Sequence, residues 1–278
     1  MTKARIALYQ ATTGIDPAAN ADALAKAIDQ AAAGGAAMLF TPEMSGMVDR
    51  DRERMAGKVR TEADDAVLAR VRAAARAAGI WVQLGSLALR GETSERLVNR
   101  GFVIDDQGEV QARYDKIHLF DVDLPTGESW RESASYEPGR EAVVVRDTPV
   151  GVLGLTICYD LRFPALFERL SEAGAEVISV PAAFTVPTGK AHWHLLLRAR
   201  AVEAGLFTVA AAQGGRHEDG RETYGHSLVV DPWGEVLLDM GGANGLVGFA
   251  DIDLDRIAEV RSRLPVIAHR RAIAPPAN

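Results

Sequence analysis

Two segments from opposite halves of this 278-residue chain share one grammar. Gly101–Val110 reads GFVIDDQGEV and Leu228–Leu237 reads LVVDPWGEVL: an apolar strand, an aspartate, two residues, Gly-Glu-Val, then more strand. Each pattern is a β-hairpin with glycine at the position that needs positive φ. A hairpin repeated in both halves predicts two comparable sheets packed together, rather than one doubly wound sheet.

Short aliphatic runs extend the pattern along the chain. They fall at Arg5–Gln10, Ala37–Phe40, Ile80–Leu89, Asn99–Ile104, Ala142–Val145, Val150–Ile157, Val177–Val180, Phe207–Ala212 and Ser227–Val230. Between some of them lie helical patterns at Ala21–Ala33, Thr61–Ala78, about Phe163 to Ala173, and about His192 to Ala204. The second of these has a capping residue, an acidic first turn and a terminal Gly79. This interleaving predicts an α/β architecture. No Pro/Ser-rich linker separates the halves, so residues 1–278 read as one domain, with an extended, proline-ended tail from about Leu264.

Composition excludes several classes of partner. Lys and Arg total 31 against 38 Asp and Glu, a net charge of −7 with both signs mixed throughout. No basic stripe is available to follow a phosphate backbone, so nucleic acid is not an expected partner. No apolar stretch approaches the ~20 residues needed to cross a bilayer, so no membrane association is expected. The opening MTKARIALYQ turns polar too soon for a secretory signal. The chain has one cysteine and no internal disulfide to form, so a reducing cytoplasm is the expected setting.

That cysteine, Cys158, lies in GLTICYDLRFP, where a buried-strand pattern stops and Pro164 suits the first turn of a helix. A thiol between a strand end and a helix N-terminus is placed to favour the thiolate. A nucleophilic cysteine also needs a base and donors for an oxyanion. None of the six histidines has a cysteine-protease-like context. Other strand ends offer a different set. Glu43 follows AAMLF and a Thr-Pro turn in TPEMSG, and Lys116 lies in YDKIHLFD just before the acidic stretch DVDLPTGES. In α/β folds the ligand crevice lies outside the carboxyl ends of strands, so Glu43, Lys116 and Cys158 are predicted to converge.

TPEMSG, YDKIHLFDVDLP and GLTICYDLRFP together resemble, in order and spacing, the Glu, Lys and Cys motifs of the nitrilase superfamily of carbon–nitrogen hydrolases. The similarity continues through PAAFTVPTGKAHWHLLLRARAVEAG, AAAQGGRHEDGRETYGHSLVVDPWGEV and LPVIAHRR, nearly the whole chain. It is closest to the Nit branch of small amidases. There, GRHEDGRETYGHS resembles the members that act on deaminated glutathione more than the ω-amidases, whose substrate is 2-oxoglutaramate or a similar monoamide. A catalytically silent interaction protein of the same fold is the non-enzyme alternative, and the intact Glu43–Lys116–Cys158 set argues against it.

The resemblance implies a four-layer α-β-β-α sandwich, a homodimer or larger homo-oligomer, a small-molecule amide substrate carrying a carboxylate, and no metal or organic cofactor. It implies roles as well. Cys158 is the expected nucleophile and Glu43 the general base, shielded from water. Lys116 and the backbone N–H of Tyr159 are expected to hold the oxyanion, with Glu132 of ESASYEPG orienting Lys116. Arg162, Phe184, Thr185, Thr188, Arg216 and His217 are the candidates for binding the substrate. Two positions depart from the family pattern: His194 stands where glutamate is frequent, and Ala204 where asparagine is. On a helix His192 and His194 do not face each other, so they are not expected to share an ion.

Overall fold

A computed structural model describes residues 3–91, 96–123, 127, 129–274 and 276. Part of the proline-bearing stretch after Lys116, residues 124–126 and 128, and the end of the tail lie outside these.

Two six-stranded sheets carry the fold. The first runs, edge to edge, Leu246–Asp253, Lys3–Gln10, Met38–Phe40, Trp81–Arg90, Leu97–Ile104 and Val110–Asp115. The second runs Val236–Asp239, Leu228–Val230, Phe207–Ala210, Val177–Ser179, Gly151–Leu155 and Val144–Thr148. In each sheet three strands pair in parallel and antiparallel strands flank them. The alternation of side chains sorts the layers. Ile6 and Leu8 join Leu153, Leu155, Val177 and Val209 in the core between the sheets. Ala7, between them in sequence, faces the other way and packs with Leu24, Ile28, Val71 and Ala75 of the helices Pro17–Ala33 and Ala66–Ala78. The helices Pro164–Glu172 and Val186–Ala204 cover the second sheet through Leu166, Phe167, Trp193, Leu197 and Ala201. The layers are therefore helix, sheet, sheet, helix, as expected.

The two echoed hairpins sit in different sheets and are built alike. Asp105 Oδ1 accepts the backbone N–H groups of Gln107 and Glu109, and Asp231 Oδ1 accepts those of Trp233 and Glu235. Gly108 and Gly234 take φ of 74° and 88°. A register shift follows each first strand, at Val103/Ile104 and at Val229/Val230.

Several boundaries differ from the sequence reading. The Thr61–Ala78 segment is two elements, a 3-10 turn Glu62–Asp64 and a helix Ala66–Ala78 capped by Asp65, whose side chain accepts the Leu68 N–H. The fourth helix starts earlier, at Val186, because Pro187 occupies its first turn, where a missing N–H costs nothing. The strand Leu246–Asp253 and the helix Asp255–Arg263 were not anticipated. That strand completes the first sheet by pairing antiparallel with Lys3–Gln10 from the other end of the chain. The start of the tail lies against the body, with Arg270 3.7 Å from Glu168.

Candidate active site

The three strand-end residues converge, and the local backbone explains how. Glu43 leaves the end of Met38–Phe40 through a turn held by Thr41, whose hydroxyl accepts the Gly85 N–H at 3.0 Å. A Cβ at Gly85 would run into the backbone oxygens of Thr41 and Pro42, so this crossing requires glycine. Met44, next in the chain, takes φ of 55° and is anchored by Ser86 Oγ at 2.9 Å. Lys116 follows the strand Val110–Asp115, with its N–H on Asn99 O at 2.9 Å. Cys158 opens a 3-10 turn, Cys158–Arg162, with φ of 50°. A non-glycine residue in that region is strained, and the Cys158 N–H bond to Pro181 O, at 2.8 Å, helps to hold it there.

Glu43, Lys116 and Cys158 are 4%, 2% and 7% exposed. Lys116 Nζ donates to Glu43 Oε1 at 2.8 Å and to Glu132 Oε2 at 2.9 Å. Glu43 Oε2 accepts the Ala183 N–H at 3.0 Å, and the Glu43 carboxylate neighbours the buried Cys158 thiol. Glu132 Oε2 is fixed in turn by the Phe120 N–H at 2.7 Å. Burial by itself would lower the Lys116 ammonium. The carboxylates of Glu132 and Glu43, with Cys158 beside them, outweigh it and hold Lys116 well above the ordinary lysine value. Burial first, then the neighbouring Glu43 carboxylate, pushes the Cys158 thiol well above its usual value, and Lys116 does not offset them.

The resting sulfur is therefore a thiol, not the thiolate expected of a strand-to-helix junction. The α-helix begins only at Pro164, beyond the five-residue turn, so its N-terminus is not at the sulfur. The Tyr159 N–H, second in that turn, has no acceptor within the turn and lies beside the nucleophile.

Three residues that the sequence reading passed over hold this arrangement. Asn99, fully buried, donates to Glu43 Oε1 at 3.0 Å and to Glu132 Oε1 at 3.2 Å, bridging the carboxylates. Gln213 Nε2 donates to the Glu43 carbonyl at 2.9 Å. Asp160, also fully buried, accepts the Ile157 N–H, the Tyr114 hydroxyl and the His118 N–H. The one available signal was Asp160 itself, an aspartate inside an otherwise apolar strand-end segment.

A cavity of about 490 Å³ opens onto the three residues. Glu132, Tyr159, Arg162, Phe184, Thr185 and Thr188 also line it. The Arg162 guanidinium lies 5.3 Å from the Phe184 ring centre and 5.8 Å from that of Tyr159, with Nη1 3.2 Å from His192 Nδ1. Among the described residues it has no carboxylate partner. Thr185 precedes the Val186–Ala204 helix, and its hydroxyl meets that of Thr188 at 2.8 Å.

Arg216 and His217 do not line the cavity. Arg216 is exposed on the short strand Gly214–Arg216. His217 is buried between Thr13 O at 2.9 Å and Thr223 Oγ1 at 2.8 Å, and burial lowers its pKa. Alternation along that segment turns the two side chains to opposite sides, neither of them the cavity. Besides Arg162, the arginines that line the cavity are Arg50, Arg52, Arg131 and Arg221. His192 and His194 part company as anticipated: the first meets Arg162, the second Asp239.

A carbon–nitrogen hydrolase family model matches residues 5–262. The chain is 40% identical over 276 residues to a deaminated glutathione amidase of Yersinia enterocolitica, covering 99% of this chain and 95% of that one. Its structure is similar to that of the NitFhit protein of C. elegans, with a TM-score of 0.89 and 37% identity, covering 98% of this chain and 66% of that longer one. It is also similar to a mutant amidase of Nesterenkonia, in which the acetamide moiety of fluoroacetamide is added covalently at the active-site cysteine. There the TM-score is 0.77 and the identity 28%, over 94% of this chain and 96% of that one.

Proposed function

This chain belongs to the carbon–nitrogen hydrolase family and is an amidase, and from that premise we propose that it hydrolyses deaminated glutathione through a thioester on Cys158. The observation that carries the mechanism is the buried cluster in which the Glu43 carboxylate stands beside the Cys158 thiol and holds the Lys116 ammonium. An amide carbonyl is a weak electrophile, so the charge that develops on its oxygen needs donors already in place. One such donor is typically worth about 3–4 kcal/mol of barrier.

In this reading Glu43 takes the thiol proton as Cys158 Sγ bonds to the amide carbon, and the oxygen of the tetrahedral adduct is held by Lys116 Nζ and the Tyr159 N–H. A thiol that is neutral at rest suits this sequence, because the carboxylate that takes its proton stands beside it. The adduct collapses as Glu43 hands that proton to the amide nitrogen, and the C–N bond breaks. Glu43 then deprotonates a water that attacks the thioester. The acid is released, the sulfur takes its proton back, and the site is restored. Glu132 positions Lys116 and balances its charge.

Deaminated glutathione carries carboxylates. Arg162, with no acidic partner of its own among the described residues, is the reading's choice for one of them, helped by the hydroxyls of Thr185 and Thr188 against the aromatic wall of Phe184. A second carboxylate at the far end of the substrate would meet another arginine of the lining, Arg50, Arg52, Arg131 or Arg221. We propose further that residues 1–278 work as one domain, in a homodimer, in the cytoplasm.

The test is a direct comparison of substrates. Release of cysteinylglycine from deaminated glutathione should exceed, in kcat/KM, release of ammonia from 2-oxoglutaramate, and Cys158→Ala should abolish both. A preference for 2-oxoglutaramate would overturn the substrate in favour of an ω-amidase. Mass spectrometry of the parent enzyme, quenched in acid during turnover, should find an acyl adduct on Cys158. An adduct elsewhere would overturn the mechanism.

A further inference from the structure

Outside the cavity, three side chains from distant parts of the chain converge on one point. His194 comes from the Val186–Ala204 helix, His226 from the loop after the short strand Glu222–Tyr224, and Asp239 from the end of the edge strand Val236–Asp239. His194 Nε2 lies 2.9 Å from Asp239 Oδ2, and His226 Nδ1 lies 2.9 Å from Asp239 Oδ1. The three donor atoms all fall within 4.8 Å of one another. We infer that this is a divalent-cation site, of the two-histidine, one-carboxylate kind, that takes zinc.

Geometry and chemistry support the assignment together. Zinc binds imidazole nitrogen and carboxylate oxygen at about 2.0–2.2 Å in a tetrahedral arrangement, which sets the donors roughly 3.3–3.5 Å apart. The two contacts to Asp239 are already near that separation. Closing the imidazole pair by at most about 1.5 Å completes the set. Two imidazoles and one carboxylate suit zinc better than calcium or magnesium, which prefer oxygen alone.

The surroundings orient the ligands. Asp239 Oδ1 also accepts the Gly241 N–H at 2.9 Å, and the His226 N–H donates to Gly241 O at 2.8 Å. His226 is held at φ of 54°, an uncommon conformation for a residue with a side chain. Its ring stacks on Tyr224 at 4.4 Å, and the His194 ring meets Tyr224 edge-on. The three side chains are 27–35% exposed, so an ion can enter and a water can fill the fourth position.

The site's position says what it would do. Zinc would fasten the helix to the edge hairpin of the second sheet. Trp193, next to His194, donates its indole N–H to His226 O at 2.7 Å and packs on Phe184 at 4.8 Å between ring centres. A clip at His194 and His226 would thus brace the aromatic wall of the cavity from behind, without touching the reacting atoms.

The test uses the full-length Cys158→Ala protein, freed of metal with a chelator, so that the active-site thiol cannot bind the probe. Titration with zinc chloride, by calorimetry and by metal analysis after gel filtration, should find one zinc per chain and a rise in Tm of several degrees. In the same background His194→Ala should lower the affinity at least tenfold and remove most of the Tm rise. Asp239→Asn, which keeps the shape of the carboxylate, should do the same and guards against a folding defect. Cobalt chloride should give visible ligand-field bands in the parent that are lost in both variants. A parent that takes up no zinc would overturn the site and leave a plain His–Asp–His hydrogen-bond bridge. Uptake unchanged in both variants would overturn it equally.

Discussion

Asp160 Oδ1 lies 2.7 Å from His118 Nδ1, and that contact ties the turn carrying Cys158 to the segment that carries Lys116. The two residues belong to opposite sheets. Lys116 and His118 follow the last strand of the first sheet, and Asp160 follows a central strand of the second. The same carboxylate accepts the Ile157 N–H at 2.9 Å and the Tyr114 hydroxyl at 2.7 Å, while the His118 ring stacks on Phe163 at 3.6 Å. A group that touches neither the proposed nucleophile nor the proposed oxyanion donor thus helps to fix the distance between them.

Asp160→Ala strands a buried amide N–H and a buried hydroxyl without an acceptor. Each such loss costs about 1–3 kcal/mol, so the variant should lose roughly 3 kcal/mol of stability and at least tenfold in kcat. Asp160→Asn keeps one acceptor and should recover part of both. Thermal unfolding and initial rates check this, and an unchanged kcat in the alanine variant would sink the positioning role.

Arg162→Ala should raise KM for substrates bearing a carboxylate by ten- to a hundredfold, with a smaller effect on an uncharged amide of the same length, because only the charged substrate loses an ion pair. Arg216→Ala, on the exposed strand away from the cavity, should leave both parameters unchanged. Steady-state kinetics on the paired substrates separates the two outcomes.

Gly85→Ala places a methyl against the backbone of Thr41 and Pro42, which cannot yield without moving Glu43. Overpacking of this kind costs about 1–3 kcal/mol. The variant should unfold at lower temperature and lose activity out of proportion to its loss of folded protein. Activity per folded molecule, from circular dichroism and rate assays on the same sample, is the measure.

The raised pKa of Cys158 makes stability fall in alkali. Below about pH 9, the ordinary value for this thiol, it is protonated in both folded and unfolded chains and contributes no slope. Above that pH the unfolded chain releases the proton and the native chain keeps it, so folding loses about 1.4 kcal/mol per pH unit from this group until the folded pKa is reached. Cys158→Ala should therefore lose stability less steeply than the parent above pH 9. Denaturant unfolding at several alkaline pH values tests the difference in slope, and identical slopes would exclude so large a shift.

Much of the fold was legible because its signals are local. Short aliphatic runs marked most of the strands, and the Asp-x-x-Gly-Glu hairpins announced a sheet in each half. The strand Leu246–Asp253 was missed because it owes its place to Lys3–Gln10, at the other end of the chain. Glu43, Lys116, Cys158 and Glu132 were legible through their motifs. Asn99 and Gln213 were not, since a buried amide looks in sequence like any surface amide until the carboxylates it bridges are folded around it.

The sequence by itself determined which residue types stand at strand ends, the α/β alternation and the family resemblance, because these depend on spacing along the chain. Only the tertiary structure decided which groups meet. It set Arg162 on the cavity wall and Arg216 outside it, and brought Asp160 under the Cys158 turn. It also kept the resting sulfur protonated, although its place in the sequence favoured a thiolate. The physical reason is that desolvation and charge pairing depend on distance through space, and residues far apart in the chain supply both.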